Sequence, residues 1–351
     1  MAVSWCWAFG QESSAVLEGQ MEWEFDNISA ANGQPSNTFT YTYVGSPPRF
    51  SWAQGSGFNA THFTLPAKAF VPAGWVTFAI YNDGTTGGAY LTNNRVVQVT
   101  GAITTRAIWI QVQNGGTSTF SLFVDNVFKA SFTMVINNWH YVALQYNMGV
   151  NPWEGRVFVD GTAATALFTD PQNVETLGAV TFQAITSGTR TNYFAQAAIY
   201  NSTADTAELP RFVTRISPDT DSSDTGTWVP PSGAGAQVAV TANDPFNNAT
   251  FTEDAAPASG DQVTTTFAAP LSTQLGVAAG LIDGITGHSY SSGTAIQCFA
   301  ATGAAGAFTS GANYTPDLVD TTYGFATAPI NPATAVAWAP GDTVQLKYEI
   351  V

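Results

Sequence analysis

The run from Asn138 to Gly161, NWHYVALQYNMGVNPWEGRVFVDG, constrains the fold more than any other stretch. Val142, Leu144 and Tyr146 alternate with Tyr141, Ala143 and Gln145, so a strand here has one apolar face and one mixed face. The segment Asn147–Gly155 holds Gly, Asn and Pro, which break strands, and it reads as a loop. Arg156–Asp160 alternates again, with Val157 and Val159 opposed to Arg156, Phe158 and Asp160. Asp160-Gly161 is a tight-turn signal, because glycine takes positive φ without steric cost. Ala164–Phe168 is expected to return antiparallel.

The same rhythm runs along the first 215 residues. Val3–Phe9, Gln20–Asn27, Thr38–Val44, Trp75–Tyr81, Arg95–Val99, Ala107–Val112, Thr119–Val124 and Val127–Met134 read as strands. Turn residues separate them, notably Gly45–Pro48, Asn114-Gly115-Gly116 and Asp125-Asn126. Short strands about every ten residues mark a two-sheet sandwich.

At Ile216 the composition shifts. Residues 217–236, SPDTDSSDTGTWVPPSGAGA, hold almost nothing to bury and read as a linker. The net charge is −4 over 1–215 (9 basic, 13 acidic) and −11 over 216–351 (1 basic, 12 acidic). Beyond the linker, Gln237–Thr241, Gln262–Phe267, Leu275–Ile282, Ala295–Ala300 and Thr343–Val351 suggest a smaller β-sandwich. Leu275–Leu281 also fits a short helix. In the last strand Val344, Leu346, Tyr348 and Ile350 oppose Gln345, Lys347 and Glu349. The expected organisation is therefore a domain over 1–215, a linker over 216–236 and a small β-rich domain over 237–351.

Charge and cysteine usage narrow the function classes. A chain of net charge −15 with 10 Lys+Arg offers no basic stripe for phosphates, which argues against nucleic-acid binding. Its N-terminal apolar run is too short for a signal peptide or a membrane span, so synthesis in a cytoplasm is expected. Cys6 and Cys298 have no metal-ligand spacing and read as buried thiols.

Few residues suggest chemistry. Glu22, Glu24 and Asp26 in EWEFD would share one face of a strand. Neighbours on that face lie about 6–7 Å apart, near the carboxylate spacing of a glycosidase. The plain alternative is a solvated acidic face. His62, His140 and His288 are far apart and do not suggest a metal site; His140 reads as a strand residue beside Trp139. Asp83, Asp125 and Asp160 sit at turns and could contribute to a calcium site, although Asp is expected at turns anyway. Trp153 could stack on a sugar ring or cap the core edge. No catalytic or metal residue is assigned, and any ligand-binding residue is unknown.

The Trp139-His140 pair, the loop and the FVDG run Phe158–Gly161 resemble the laminin G-like, concanavalin A-like jelly-roll family. Gly178–Tyr200 is similar to the last strands of that fold, followed by the short polar segment Ser202–Leu209. The resemblance implies an all-β, concanavalin A-like jelly-roll sandwich, and it does not fix a function. Gly10–Glu18, Trp228 and the end from Asn331 through Trp338 to Val351 resemble bacteriophage virion proteins with an N-terminal laminin G-like module. That resemblance implies a non-enzymatic virion protein, made in the host bacterial cytoplasm and decorating the capsid or associated with the head. Its partners would be the major capsid protein, sister copies in a homo-oligomer and, in some roles, a glycan, with no nucleic acid or membrane. A tail or fibre lectin and a glycosidase using Glu22 and Glu24 are the alternatives. No cofactor is expected, calcium being the one ion considered.

Overall fold

The computed structural model describes residues 3–7, 33–41, 49–54, 62–66, 71–82, 95–104, 106–112, 118–183, 192–204, 207–211, 213, 216, 220–225, 228–229, 253–254, 256, 258–266, 269–275, 282–292, 296–304, 307–314 and 321–350. In chain order the first strands are β1 (Val3–Trp7), β2 (Gly33–Tyr41), β3 (Arg49–Gln54), β4 (His62–Pro66), β5 (Ala73–Asn82), β6 (Arg95–Gly101), β7 (Ala107–Val112) and β8 (Thr119–Val124). They continue as β9 (Val127–Thr133), β10 (Asn138–Asn147), β11 (Trp153–Val159), β12 (Thr162–Ala163), β13 (Phe168–Asp170), β14 (Leu177–Gln183) and β15 (Asn192–Tyr200). Two compact units divide the chain. The first is built chiefly from Pro48–Val213 and the second from Thr214–Val351, which also takes in the Ala2–Trp5 end of β1.

The first unit is an all-β sandwich of two sheets. One sheet has the order β12-β11-β10-β5-β15-β3-β2, with β13 also on β11; the other has the order β4-β14-β6-β7-β8-β9. Every strand pairing within each sheet that has a register is antiparallel. The alternating apolar residues explain the layering. Val76, Phe78, Val142, Leu144, Tyr146, Val157 and Ile199 are buried on one sheet, and Val97, Val99, Ile108, Ile110, Leu122 and Phe182 on the other. Phe78 meets Phe182 edge-on at 5.9 Å between ring centroids. Full burial of each such side chain contributes about 1.5–3 kcal/mol.

The two predicted tight turns are present. Asp160 and Gly161 both have positive φ, 51° and 81°, and so do Asp125 and Asn126, at 45° and 68°. Positive φ at both central residues matches the right-handed twist of the flanking strands. The return expected over Ala164–Phe168 is instead split. β12 pairs with the end of β11 through Phe158↔Ala163 and Val159↔Thr162. β13 then pairs with its start through Trp153↔Asp170. Gly155 explains the close packing there: a Cβ on it would lie 2.6 Å from the Phe168 ring and 2.8 Å from the Gln145 carbonyl oxygen.

The second unit contains the strands β16 (Thr220–Thr225), β17 (Trp228–Val229), β18 (Glu253–Asp254), β19 (Gln262–Thr266), β20 (Ile285–Ser292), β21 (Ile296–Ala304), β22 (Ala307–Tyr314), β23 (Thr321–Ala328) and β24 (Gln345–Ile350), with a short helix α1 (Leu271–Leu275). Five of them form a sheet of order β16-β19-β24-β21-β22, and β20 and β23 pair beside β21 and β22. Leu271, Ala328, Trp338 and Val344 form its core cluster. The stretch 217–236, read above as a linker, is in part sheet. β16 pairs with β19, and Trp228-Val229 pairs with β18. The partner strands supply the backbone hydrogen bonds, so this Asp/Ser-rich segment needs no apolar face of its own. Gln345, assigned to the polar face of the last strand, is fully buried.

Candidate functional site

Strand register decides which side chains meet on the outer face of the β10 sheet. Gln145 lies opposite Trp75 on β5 and Arg156 on β11, while Ala143 lies opposite Thr77 and Phe158. This is the face read as mixed in sequence, yet Trp75, Thr77, Tyr141, Ala143 and Phe158 are all buried. Part of the cover is the segment after β15, which the sequence shows only as short and polar. Tyr141 Oη donates to the Ala207 carbonyl at 2.9 Å and Gln145 Nε2 to the Thr203 carbonyl at 3.1 Å. Gln196 is 2 % exposed; its amide nitrogen bonds the Arg211 carbonyl, and its Oε1 accepts from Val213 N at 2.7 Å. The described residues of this segment, 203–204, 207–211 and 213, thus form a strap held to the sheet by side chains.

Removing one of these ties tests the strap. Tyr141→Phe is expected to lower stability by about 1 kcal/mol. It should also speed limited proteolysis within 203–213, read by mass spectrometry of the fragments. Unchanged cleavage kinetics would mean that the Ala207 contact does not hold the strap.

The Trp-His and Asp-Gly elements meet in space. His140 is buried; its Nδ1 lies 2.7 Å from Asp160 Oδ2 and its Nε2 lies 2.8 Å from the Val135 carbonyl. A carbonyl can only accept, so Nε2 carries a proton, and the carboxylate beside Nδ1 favours a second one. Burial alone would push His140 below its ordinary value. The hydrogen bonds to Asp160 and Val135 and the Asp160 charge outweigh it and raise it. Burial would likewise raise Asp160, but the bonds from His140 and Tyr141 N and the imidazolium charge hold it below its usual range. The other Asp160 oxygen accepts from Tyr141 N at 2.8 Å. This pair fastens the start of β10 to the β11–β12 turn.

These contacts bear on two alternatives that the sequence left open. Both Asp160 oxygens are engaged by the fold, so the calcium reading loses that ligand. Asp125 pairs with Arg106 Nε at 3.4 Å, and Asp83 lies outside the described residues. Of the two readings of Trp153 the structure takes the core-edge one: it is 0 % exposed, and its Nε1 donates to the Asn173 carbonyl at 2.8 Å. It opens β11 and fills the core edge, so its ring is not available to a sugar. Glu22, Glu24 and Asp26 lie outside the described residues; His62 and His288 fall on β4 and β20. Among the described residues, no three His, Cys, Asp or Glu side chains gather in a way that could hold a metal ion. No described helix is long and apolar enough to cross a membrane.

Sequence reasoning missed one concave feature. A groove of about 280 Å³ opens at the edge of the β10 sheet, lined by Gln145, Asn147, Glu154, Arg156, Leu167 and Thr203 among others. Arg156 Nε donates to Gln145 Oε1 at 3.0 Å, and its guanidinium carbon sits 4.6 Å from the Phe158 ring centroid. Arg156 and Gln145 are eleven residues apart in sequence. Only the register brings them together across a loop whose length leaves that register open.

No protein-family model matches the chain, and neither does any curated protein. Solved structures do. A sialidase of Trypanosoma rangeli is 10 % identical over 48 % of this chain and 30 % of that one, with a TM-score of 0.31. This chain therefore spans about a third of that protein. The catalytic domain of a GH131 β-glucanase from Podospora anserina is 12 % identical over 60 % of this chain and 100 % of its own, with a TM-score of 0.38. The receptor binding domain of botulinum neurotoxin type G is 11 % identical over 66 % of each chain, with a TM-score of 0.33.

Proposed function

We propose that this chain is a non-enzymatic structural protein of a bacteriophage virion, a capsid decoration or head-associated protein that presents the β10 sandwich at the particle surface. The observation that supports this reading is where the sandwich spends its polar side chains. Tyr141, Gln145 and Gln196 hold the chain's own strap, and His140 and Asp160 hold each other. A face covered in part by its own polypeptide suits building material better than catalysis. The ordered resemblance of Gly10–Glu18, Trp228 and Asn331–Val351 to phage virion proteins points the same way. The partners would be the major capsid protein and sister copies, and the net charge of −15 would keep the chain soluble and repelled by free DNA.

A glycosidase would need two carboxylates flanking the scissile bond. Of the described groove residues only Glu154 is acidic, and Glu22 and Glu24 lie outside the described residues. The test is antibody labelling of purified intact particles, imaged by electron microscopy. Label distributed over the head is the expected result. Label confined to a tail tip would replace this reading with a receptor-binding one, and its absence from particles would overturn the virion assignment.

A further inference from the structure

The groove at the edge of the β10 sheet holds polar side-chain atoms that no described residue engages. Lys129, Arg106 and Lys347 each meet a carboxylate, on Asp170, Asp125 and Glu349 respectively. Arg156 does not. The Gln145 amide holds its Nε, the Phe158 ring lies beside its plane, and Gln145 is itself tied to the strap through Thr203. The guanidinium is therefore oriented at two points, while its two terminal nitrogens meet no described acid.

Glu154 shares the same face of β11, two residues away, so the two Cα atoms are about 7 Å apart. No ion pair links it to Arg156. Across the register from Glu154 lies Asn147, whose Oδ1 accepts from Gly149 N at 3.1 Å and whose Nδ2 remains a donor. Leu167, 53 % exposed, supplies an apolar wall. A fixed planar cation, a carboxylate, a side-chain amide and one aliphatic surface thus line one small groove.

We propose that this groove binds a single uronate-type residue of an acidic saccharide. The sugar carboxylate takes the Arg156 fork, whose two parallel donors match its geometry. Hydroxyls on the far side of the ring donate to Glu154 and accept from Asn147 Nδ2, and the C–H face of the ring lies on Leu167. The volume suits one ring rather than a longer ligand. Inorganic phosphate would satisfy Arg156 but has no ring to carry hydroxyls to Glu154 and Asn147 and no C–H face for Leu167. A peptide carboxyl terminus would need a side-chain pocket, and the apolar lining here is one leucine. The proposal does not depend on the virion reading, because binding is measured on the isolated chain.

The experiment is calorimetric titration of the full chain, in EDTA, with uronate disaccharides of the gluco, galacto and manno series beside their neutral counterparts, acetate and inorganic phosphate. At least one uronate is expected to bind about tenfold more tightly than its neutral counterpart, a difference of about 1.4 kcal/mol. Arg156→Gln should erase that preference, Arg156→Lys should restore only part of it, and Glu154→Gln should weaken acidic and neutral sugars alike. Thermal midpoints of the variants show whether the fold is retained, and Leu167→Ser, at an exposed position, gives a second route to lost affinity. No binding of any uronate at millimolar concentration would overturn the proposal. So would equal affinity for acidic and neutral sugars, acetate or phosphate binding as tightly as the uronate, or a folded Arg156→Gln chain with its preference intact.

Discussion

Replacing Trp153 with alanine is expected to destabilise the first unit by about 3–5 kcal/mol, the range for emptying a fully buried tryptophan site. The side chain is 0 % exposed and sits where β11 begins, opposite Asp170 of β13. Its loss removes the packing that anchors both strands and leaves the Asn173 carbonyl without the donor now 2.8 Å away. Against the 5–15 kcal/mol that separates a typical native domain from its unfolded ensemble, this is a large fraction. Denaturant titration followed by tryptophan fluorescence and far-UV circular dichroism would measure it. Trp153→Phe keeps most of the ring but not the N–H, so it should fall between wild type and alanine. A Trp153→Ala chain that unfolds at the wild-type midpoint but loses sugar affinity would favour the sugar-stacking alternative over the core-edge one.

Trp153 also shows where sequence reasoning stopped. Gly, Asn and Pro around it signal a loop, and the loop is there, but its last residues already belong to β11. Loop composition does not report that a side chain at the boundary turns inward. Where turn residues bracket a run sharply the outcome was better: Ala107–Val112 and Thr119–Val124 are strands over the expected residues. The harder features were non-local. The mixed face of β10 is buried in part because the described residues of the strap lie on it, and the ties run from Tyr141, Gln145 and Gln196 to backbone carbonyls up to 66 residues away. A strap held by side chain to backbone bonds has no periodicity to detect. β16 illustrates the same limit, since a Ser/Asp-rich strand takes its ladder from β19 and carries no apolar pattern of its own. The groove was invisible for a related reason: Glu154 reads as part of a loop and Arg156 as one residue of an alternating strand until Asn147, Gln145 and Leu167 are placed around them.

The His140–Asp160 pair predicts a pH dependence whose shape is set by its two shifts. His140 is raised in the folded state, so its stabilisation is complete below the unfolded imidazole value of about 6.5 and is lost as pH rises through the folded value. Asp160 is lowered, so its contribution is complete above about pH 3.9 and is lost as pH falls through the folded value. The stability difference between wild type and His140→Leu is therefore expected to be flat from about pH 4 to 6.5 and to shrink on either side. On the plateau it should reach roughly 1–3 kcal/mol. That is less than for a fully buried pair, because the Asp160 side chain is 50 % exposed and water screens it. Asp160→Asn separates charge from geometry. Asn tolerates the positive φ of 51° that the turn demands, so the turn should survive. Without the carboxylate, burial again pulls His140 down, and the alkaline loss of stability should move to lower pH. Urea midpoints across pH for wild type and both variants would measure this. A His140→Leu difference that stays constant from acid to alkaline pH would mean that the imidazole folds neutral and that the Asp160 contact is an ordinary hydrogen bond. The doubly protonated ring would then have to be abandoned, even though both nitrogens point at acceptors.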